Sequence, residues 1–435
     1  MLKQPTYNEA KPLCSGISGP LNVVWGDGLH RIFSYPYAVG PFLVSYILAN
    51  IGLVYGITFF HLIRKNNTSS TKSELVNLDK LFEKKKQIMV AGFSLILTGS
   101  LFELINIIRV GGITALFSGK AVFQSLSAGL TLTLPSTEIM IIGFSLVAIY
   151  LGVIHAKKYR DRYVKLRIGV FLLFSAPYIL IKTILGQRSV LLTLLICFII
   201  GFYYFKPIKK LKPKLVAVLL IAYVFLAFVF ANRGIVSLIQ DNPKQFIETA
   251  FQKERVVEAL NPGVNEFGAA FGNYSEFYIK TGNDFGSRLG STYIKGLVVP
   301  IPSFVYPGSK PKQITYEFRD ELFASEASRG AIAGTGFSSI LEAYMNFRYI
   351  GVILVYFAIG YLLQKIEHVL RYKSIFFILL YTASISQTMS FHRSAFGTIY
   401  SNIVLRAIIL VPIVWYLNRY NGKKQKSIST NSPNQ

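Results

Sequence analysis

The sequence predicts an all-α polytopic membrane protein with about nine transmembrane helices and one large external, mostly helical loop. Three observations carry that expectation. Of the 435 residues, 52% are hydrophobic and only 15% charged, where soluble domains carry roughly 25% charge. Apolar runs recur at about the 20 residues that a helix needs to cross a bilayer. The sparse charge is also one-sided, with 46 basic against 21 acidic residues and a net charge of +25. A nucleic-acid binder carries such an excess on a hydrophilic chain, so no nucleic-acid partner is expected. Greasy chains collect Lys and Arg in their cytoplasmic loops instead.

Residues 1–37 form an expected external N-terminal segment without an apolar core of signal-peptide length. The first six spans fall within 38–232, at about 38–62, 87–108, 137–155, 167–185, 189–205 and 214–232. The fourth and fifth form a hairpin turning at Gly186-Gln187-Arg188. Residues 233–346 are the large loop. Three spans follow within 347–417, at about 347–364, 374–391 and 398–417. The eighth is diluted by Ser384, Ser386, Gln387 and Ser390, which suits a helix facing protein or a cavity. Residues 418–435 are a basic tail.

Alternation through these spans puts five basic segments on one side. They run from Arg64 to Lys86, Lys157 to Arg167, Lys206 to Lys214 and Lys365 to Lys373, and through the tail, with 25 of the 46 basic residues. The positive-inside rule makes that side cytoplasmic, with the C-terminus inside and the N-terminus outside. The large loop, counting Arg348 at its edge, has twelve basic and twelve acidic residues and is too long for a connector. A helix is expected from Pro243, with Phe246, Ile247, Ala250, Phe251, Val257 and Leu260 at helical spacing, ending at Asn261-Pro262-Gly263. It would lie on the membrane surface or pack inside the loop. A second is expected from Ile314 to Ala327, after the irregular stretch holding Val299-Pro300-Ile301-Pro302 and Tyr306-Pro307-Gly308.

Several chemistries are unsupported. Two cysteines, Cys14 and Cys197, cannot build a disulfide scaffold or a multi-Cys metal site. The five histidines (His30, His61, His155, His368 and His392) avoid the large loop and show no HExxH spacing. No P-loop and no GxSxG elbow occur. Neither a metal nor a cofactor is expected.

What remains is a set of arginines at the external rim. Arg109 ends the second span, Arg188 sits in the hairpin turn with Lys182 nearby, and Arg233 follows the sixth span. Arg288, Arg319 and Arg329 lie in the loop, Arg348 opens the seventh span and Arg393 closes the eighth. Basic residues in short external turns run against the positive-inside preference, and the guanidinium fork suits phosphate. Each could equally pair with a loop carboxylate or snorkel to headgroups. Arg188, Arg233, Arg288 and Arg393, followed by Arg319 and Arg348, are the expected pyrophosphate contacts. Glu342 is the first candidate for a general base and Glu276 the second; a helix-start carboxylate is the alternative role for Glu342. Within the spans, Glu103 stands near Arg109, and buried Arg406 needs an internal partner, for which Glu103 is one candidate.

The stretch Glu342-Ala343-Tyr344-Met345-Asn346-Phe347-Arg348-Tyr349-Ile350-Gly351 resembles the E-x-Y-x-N-F-G-x-x-G signature of bacterial O-antigen polymerases, with Arg348 in place of the usual glycine. Gly186-Gln187-Arg188-Ser189 is similar to that family's G-x-R-S turn. The Pro300-Ile301-Pro302 and Lys310-Pro311 stretch is similar to its external loop, and Arg319 with Gly330 fits its Arg-x10-Gly element. The resemblance covers roughly 90–415. It implies a C-type glycosyltransferase-like, metal-independent enzyme in a bacterial cytoplasmic (inner) membrane, serving O-antigen (lipopolysaccharide) or capsule synthesis. The substrate would be an undecaprenyl-pyrophosphate-linked oligosaccharide, with a chain-length regulator and a flippase as partners. Tyr274, Phe277, Tyr278, Tyr293 and Tyr316 would face sugars or form loop core. An O-antigen ligase is a close rival, but ligases use a histidine in the large loop, and residues 233–346 contain none. A lipid-linked oligosaccharide flippase or other transporter would show related halves, which are not seen.

Overall fold

A computed structural model describes residues 36–64, 78–117, 123, 134–159, 162–205, 213–232, 235, 238–260, 273–275, 277–278, 288–301, 305–306, 309–322, 337–372, 375–387 and 394–429. Among these the protein is all helix, with no strand. The apolar runs become α1 (Pro36–Arg64), α2 (Lys85–Val110), α4 (Ser136–Ala156), α5 (Val164–Ile184), α6 (Arg188–Tyr203), α7 (Pro213–Ala231), α13 (Ser339–Tyr372), α14 (Ile375–Ser384) and α15 (Phe396–Ser429). A short α3 (Ile113–Phe117) follows α2, and α8 (Leu238–Asp241), α9 (Pro243–Ala250), α10 (Lys253–Leu260), α11 (Ser291–Val298) and α12 (Ile314–Leu322) lie between α7 and α13.

Six of the nine expected spans are long and apolar enough to cross a bilayer: those in α1, α2, α4, α5, α13 and α15. The other three lie in α6, α7 and α14, whose fully described apolar stretches are Ser189–Tyr203, Leu219–Val229 and Ile375–Gln387. The chain is therefore an all-α polytopic membrane protein with six helices of spanning length among the described residues. The expected eighth span is described from Ile375 to Gln387, and its last four expected residues fall outside the described residues. Its serine-rich end is a 3₁₀ turn over 385–387, in which Ser386 and Gln387 are buried.

Helix α4 is apolar all round and lies at the centre, with 89% of its best apolar window buried. Gly143 on α4 and Gly92 on α2 let those two helices close: a Cβ on Gly143 would stand 2.8 Å from the Ile96 side chain, and one on Gly92 2.9 Å from that of Val147. Helices α1 and α13 run side by side through a second glycine contact. A Cβ on Gly52 would lie 2.5 Å from the Ile353 carbonyl oxygen, and one on Gly56 2.1 Å from that of Phe357.

Polar contacts fix the ends of the bundle. Asn106 bonds both backbone groups of Leu134, and the Lys182 ammonium donates to Glu103 at 2.7 Å. The end of α2, the start of α4 and the end of α5 therefore share one level. Glu138 at the start of α4 pairs with Arg406, ten residues into α15. The start of α15 consequently rises about 15 Å beyond the start of α4, at 1.5 Å per residue. We name this the upper end. At the lower end Lys84 donates to Asn418 at 2.9 Å and Lys157 pairs with Asp79.

Two sequence expectations change, and a third falls partly outside the described residues. Glu103 pairs with Lys182, and Arg406 takes Glu138 in place of Glu103. The expected helix from Pro243 is two helices, parted at Phe251, whose ring packs tilted against Phe228 at 5.1 Å. The helix from Ile314 is described to Leu322; its expected continuation to Ala327 falls outside the described residues.

Candidate functional site

At the upper end the seventh span begins eight residues earlier than expected, at Ser339, and is broken after its second turn. Phe347 (φ −140°, ψ 15°) and Arg348 (φ 58°, ψ −150°) leave helical geometry. The break is built from both sides. The carbonyls of Met345 and Asn346, stranded where the helix stops, accept from the Arg288 and Leu289 amides at 3.2 and 3.3 Å. The Asn346 side chain accepts from the Gly290 amide at 2.9 Å and donates to Thr292 Oγ1 and the Glu342 carbonyl, each at 2.7 Å. Gly290, at φ 83°, supplies the left-handed turn before α11 and leaves room for the Phe347 ring. Gly351 does the same for the Phe347 Cβ, which would lie 2.4 Å from a Cβ of its own.

Glu342 is fully buried in this junction. One carboxylate oxygen accepts from Thr292 Oγ1 at 2.9 Å and the other from the Phe396 amide at 2.7 Å. It thereby ties together α11, α13 and the first residue of α15. Beside it the Tyr293 phenol packs edge-on to Phe396 at 5.5 Å. Burial, then the neighbouring Glu342 and Tyr356, hold that phenol well above its ordinary pKa, so it stays neutral.

Two cations meet on one carboxylate a few residues away. Arg288 Nη1 lies 3.2 Å from Glu317 Oε2 and Lys295 Nζ 2.7 Å from Glu317 Oε1. The guanidinium of Arg348 lies over the Tyr344 ring, 5.3 Å from its centroid. Arg288 and Arg348 are thus held at the same helix break, joined through the Arg288–Met345 backbone bond. The described chain resumes after Arg393 at Ser394, two residues before the Phe396 amide that Glu342 binds.

Of the expected site residues, Glu342, Arg288 and Arg348 are brought into one junction. Arg188 opens α6 after the predicted Gly186 turn (φ 61°), so its backbone stands at a helix N-terminus. Arg319 lies in α12. The side chains of Arg188 and Arg319 lie outside the described residues, as do Glu276, Arg233 and Arg393 entirely. The expected aromatics divide. Tyr274 and Phe277 are buried in a core with Phe318, Phe337 and Tyr344, whereas Tyr316 is exposed.

The sequence did not single out Lys295, Thr292 or Asn346. Asn346 was visible as a member of the quoted motif. The signal for Lys295 was its place in an eight-residue helix directly after Arg288-Leu289-Gly290.

Residues 31–250, about half of the chain, match the O-antigen polymerase family. Comparison with curated proteins and with solved structures finds no match. The matched stretch takes in Arg109, Arg188 and Arg233 and ends before the α11–α13 junction. Multi-pass apolar architecture and a family match over half its length converge on one assignment: the chain belongs to the O-antigen polymerase family.

Proposed function

We propose that this chain polymerises undecaprenyl-pyrophosphate-linked oligosaccharide repeat units at the outer face of a bacterial cytoplasmic membrane. Family membership supports a role in O-antigen polysaccharide synthesis with a glycosyltransferase-like polymerase activity. The observation that carries the finer reading is the gathering of Arg288, Lys295 and Arg348 around one helix break beside the buried Glu342.

In this reaction the bond between the donor sugar C1 and the pyrophosphate oxygen breaks, and the electron pair leaves with the lipid pyrophosphate. The hydroxyl oxygen of the incoming unit forms the new bond to C1 and gives up its proton to a carboxylate. Cations fixed in advance stabilise the charge developing on the leaving group. In the proposed site Arg288 and Arg348 serve that role, with Lys295 joining them. Arg188, at the start of α6 where helix N–H groups also favour anions, Arg233, Arg319 and Arg393 are proposed as further phosphate contacts.

The two carboxylates divide the remaining work. Both oxygens of Glu342 are already bonded within the junction, which suits a positioning residue that holds the cation-bearing segments in place. Proton removal is assigned to Glu276. The upper end would face the periplasm, with the basic lower end and the C-terminus in the cytoplasm, as the positive-inside rule requires.

Reconstitution tests this function. Purified protein in vesicles, supplied with lipid-linked repeat units, should produce longer lipid-linked chains. Transfer only to lipid A core would make it a ligase. Bilayer crossing without a new glycosidic bond would make it a transporter.

A further inference from the structure

Helix α11 carries its apolar side chains on the face that points away from the protein. Thr292 and Gly296, one turn apart, are buried. Gly296 packs so closely on the start of α15 that a Cβ there would stand 3.1 Å from the Cα of Gly397. The opposite side exposes Ile294 (68%) and Leu297, flanked by Leu289 (76%) and Val305. A helix in a water-facing loop has the reverse arrangement, with its apolar stripe inward.

The apolar strip continues down the bundle. Gly290 sits against the ring of Phe347, itself part exposed, and below it Ile350 (70%) and Leu354 stand exposed on α13. That helix is of spanning length and composition, so this flank meets acyl chains. The outward face of α11 extends it upward without a polar interruption among these residues.

The backbone of α11 is satisfied in the way a lipid-bathed element requires. Before the helix, the amides of Arg288, Leu289 and Gly290 donate to Met345, Asn346 and the Asn346 side chain. After it, Lys310 Nζ donates to the carbonyls of Val299 and Ile301 at 2.6 and 2.7 Å. The flanking groups named here are thus bonded to protein on both sides of the helix. The polar flank is kept apart: Lys295 turns to Glu317.

We infer that α11 lies in the membrane interface, with Ile294 and Leu297 among the acyl chains of the leaflet at the upper end. The segment between Arg288 and Val305 is then a membrane-embedded ledge rather than part of a water-exposed cap. The occupant of its outward face is bilayer lipid.

The test uses the full chain in phosphatidylcholine vesicles, with Trp25→Phe and Trp415→Phe removing the native indoles. Ile294→Trp is compared in plain vesicles and in vesicles whose acyl chains carry bromine near the headgroup. Leu354→Trp is the lipid-facing reference. Bromine should quench Ile294→Trp to within about twofold of the reference, as expected of an interfacial side chain. Quenching by aqueous iodide in place of bromolipid would overturn the inference by placing the face in water. Protection from both quenchers, with disulfide-linked dimers formed by Ile294→Cys, would overturn it in favour of a second copy of the chain. Leu297→Trp repeats the measurement should Ile294→Trp fail to insert. None of these readouts needs substrate, so they stand or fall apart from the proposed polymerase activity.

Discussion

Glu342 accepts a 2.9 Å hydrogen bond from Thr292, fifty residues earlier in the chain, while its second oxygen binds the Phe396 amide. A carboxylate that only positions can be replaced by an amide of the same shape, whereas a general base cannot. Glu342→Gln can still accept from Phe396 and donate to Thr292 Oγ1. It should therefore keep chain elongation within about tenfold of the parent, a barrier change near 1.4 kcal/mol. Glu342→Ala leaves two donors unpaired in a buried site, which costs about 2–3 kcal/mol, and should lose both thermal stability and elongation. A folded Glu342→Gln protein with no elongation would return the base role to Glu342.

Arg348 carries a side chain at φ 58°, ψ −150°, a region that essentially only glycine occupies and that costs other residues about 1–3 kcal/mol. Arg348→Gly should relieve this and, after the entropy that glycine loses on folding, raise stability by about 1 kcal/mol. The unfolding midpoint in detergent should rise. Elongation should fall in the same variant if the guanidinium meets pyrophosphate. A midpoint that falls would show that the contact with Tyr344 outweighs the backbone strain.

Arg288 and Lys295 share Glu317. Arg288→Ala and Arg188→Ala should each leave the protein in the membrane at normal abundance while the cell shows single-repeat glycan in place of long chains. The expected loss is at least about a hundredfold, since removing one preorganised donor at a developing charge costs about 3–4 kcal/mol. Normal long-chain glycan in either variant removes that residue from the site.

The helices were legible because lipid demands apolar sequence over a whole span, so composition alone marks α2, α4, α5 and the start of α15 to within a few residues. The partners of buried charges were not legible. Glu103 had Arg109 close in sequence, yet Lys182, on the neighbouring α5, reaches it; which cation arrives depends on helix packing. The break in α13 was half legible. The resembled signature has glycine, the residue that adopts positive φ without strain, at the position where this chain turns to positive φ with Arg348. The candidate site was legible as a set of residue types. Its geometry came from long-range backbone pairing, such as Arg288 to Met345, which no local pattern announces.

The α1–α13 contact is a second feature that spacing could have shown. Gly52 and Gly56 stand four apart in an apolar helix, the arrangement that lets membrane helices approach backbone to backbone. A Cβ on Gly56 would lie 2.1 Å from the Phe357 carbonyl oxygen, and one on Gly360 2.3 Å from that of Leu53. Gly56→Val should separate the two helices, lowering the unfolding midpoint and exposing α1 to proteolysis. Gly169→Ala, inside α5 with nothing within 4 Å of the new methyl, should be neutral or stabilising by up to about 1 kcal/mol. Equal effects from both would refute the packing role of Gly56.

Ion pairs such as Lys182–Glu103 and Arg406–Glu138 lie inside the bundle, and their cost falls on whichever partner is left behind. Lys182 and Glu103 are both buried, and Glu103 also accepts from Ser136. Removing one member of such a pair leaves a charge without its counterion, a loss of about 3–5 kcal/mol, while removing both is often nearly neutral. Glu103→Leu should therefore lower the unfolding midpoint more than Glu103→Leu combined with Lys182→Met. If the double variant is instead the weaker protein by the sum of the single losses, the two residues act independently. In that case the ion pair does not join α2 to α5. The same comparison applied to Glu138 and Arg406 carries a further constraint, because Arg406 also donates to the Ala383 carbonyl at 2.5 Å. Arg406→Leu with Glu138→Leu leaves that carbonyl, at the end of α14, with the weaker Cys197 thiol donor at 3.6 Å, so recovery should be incomplete by about 1 kcal/mol relative to the Glu103–Lys182 case.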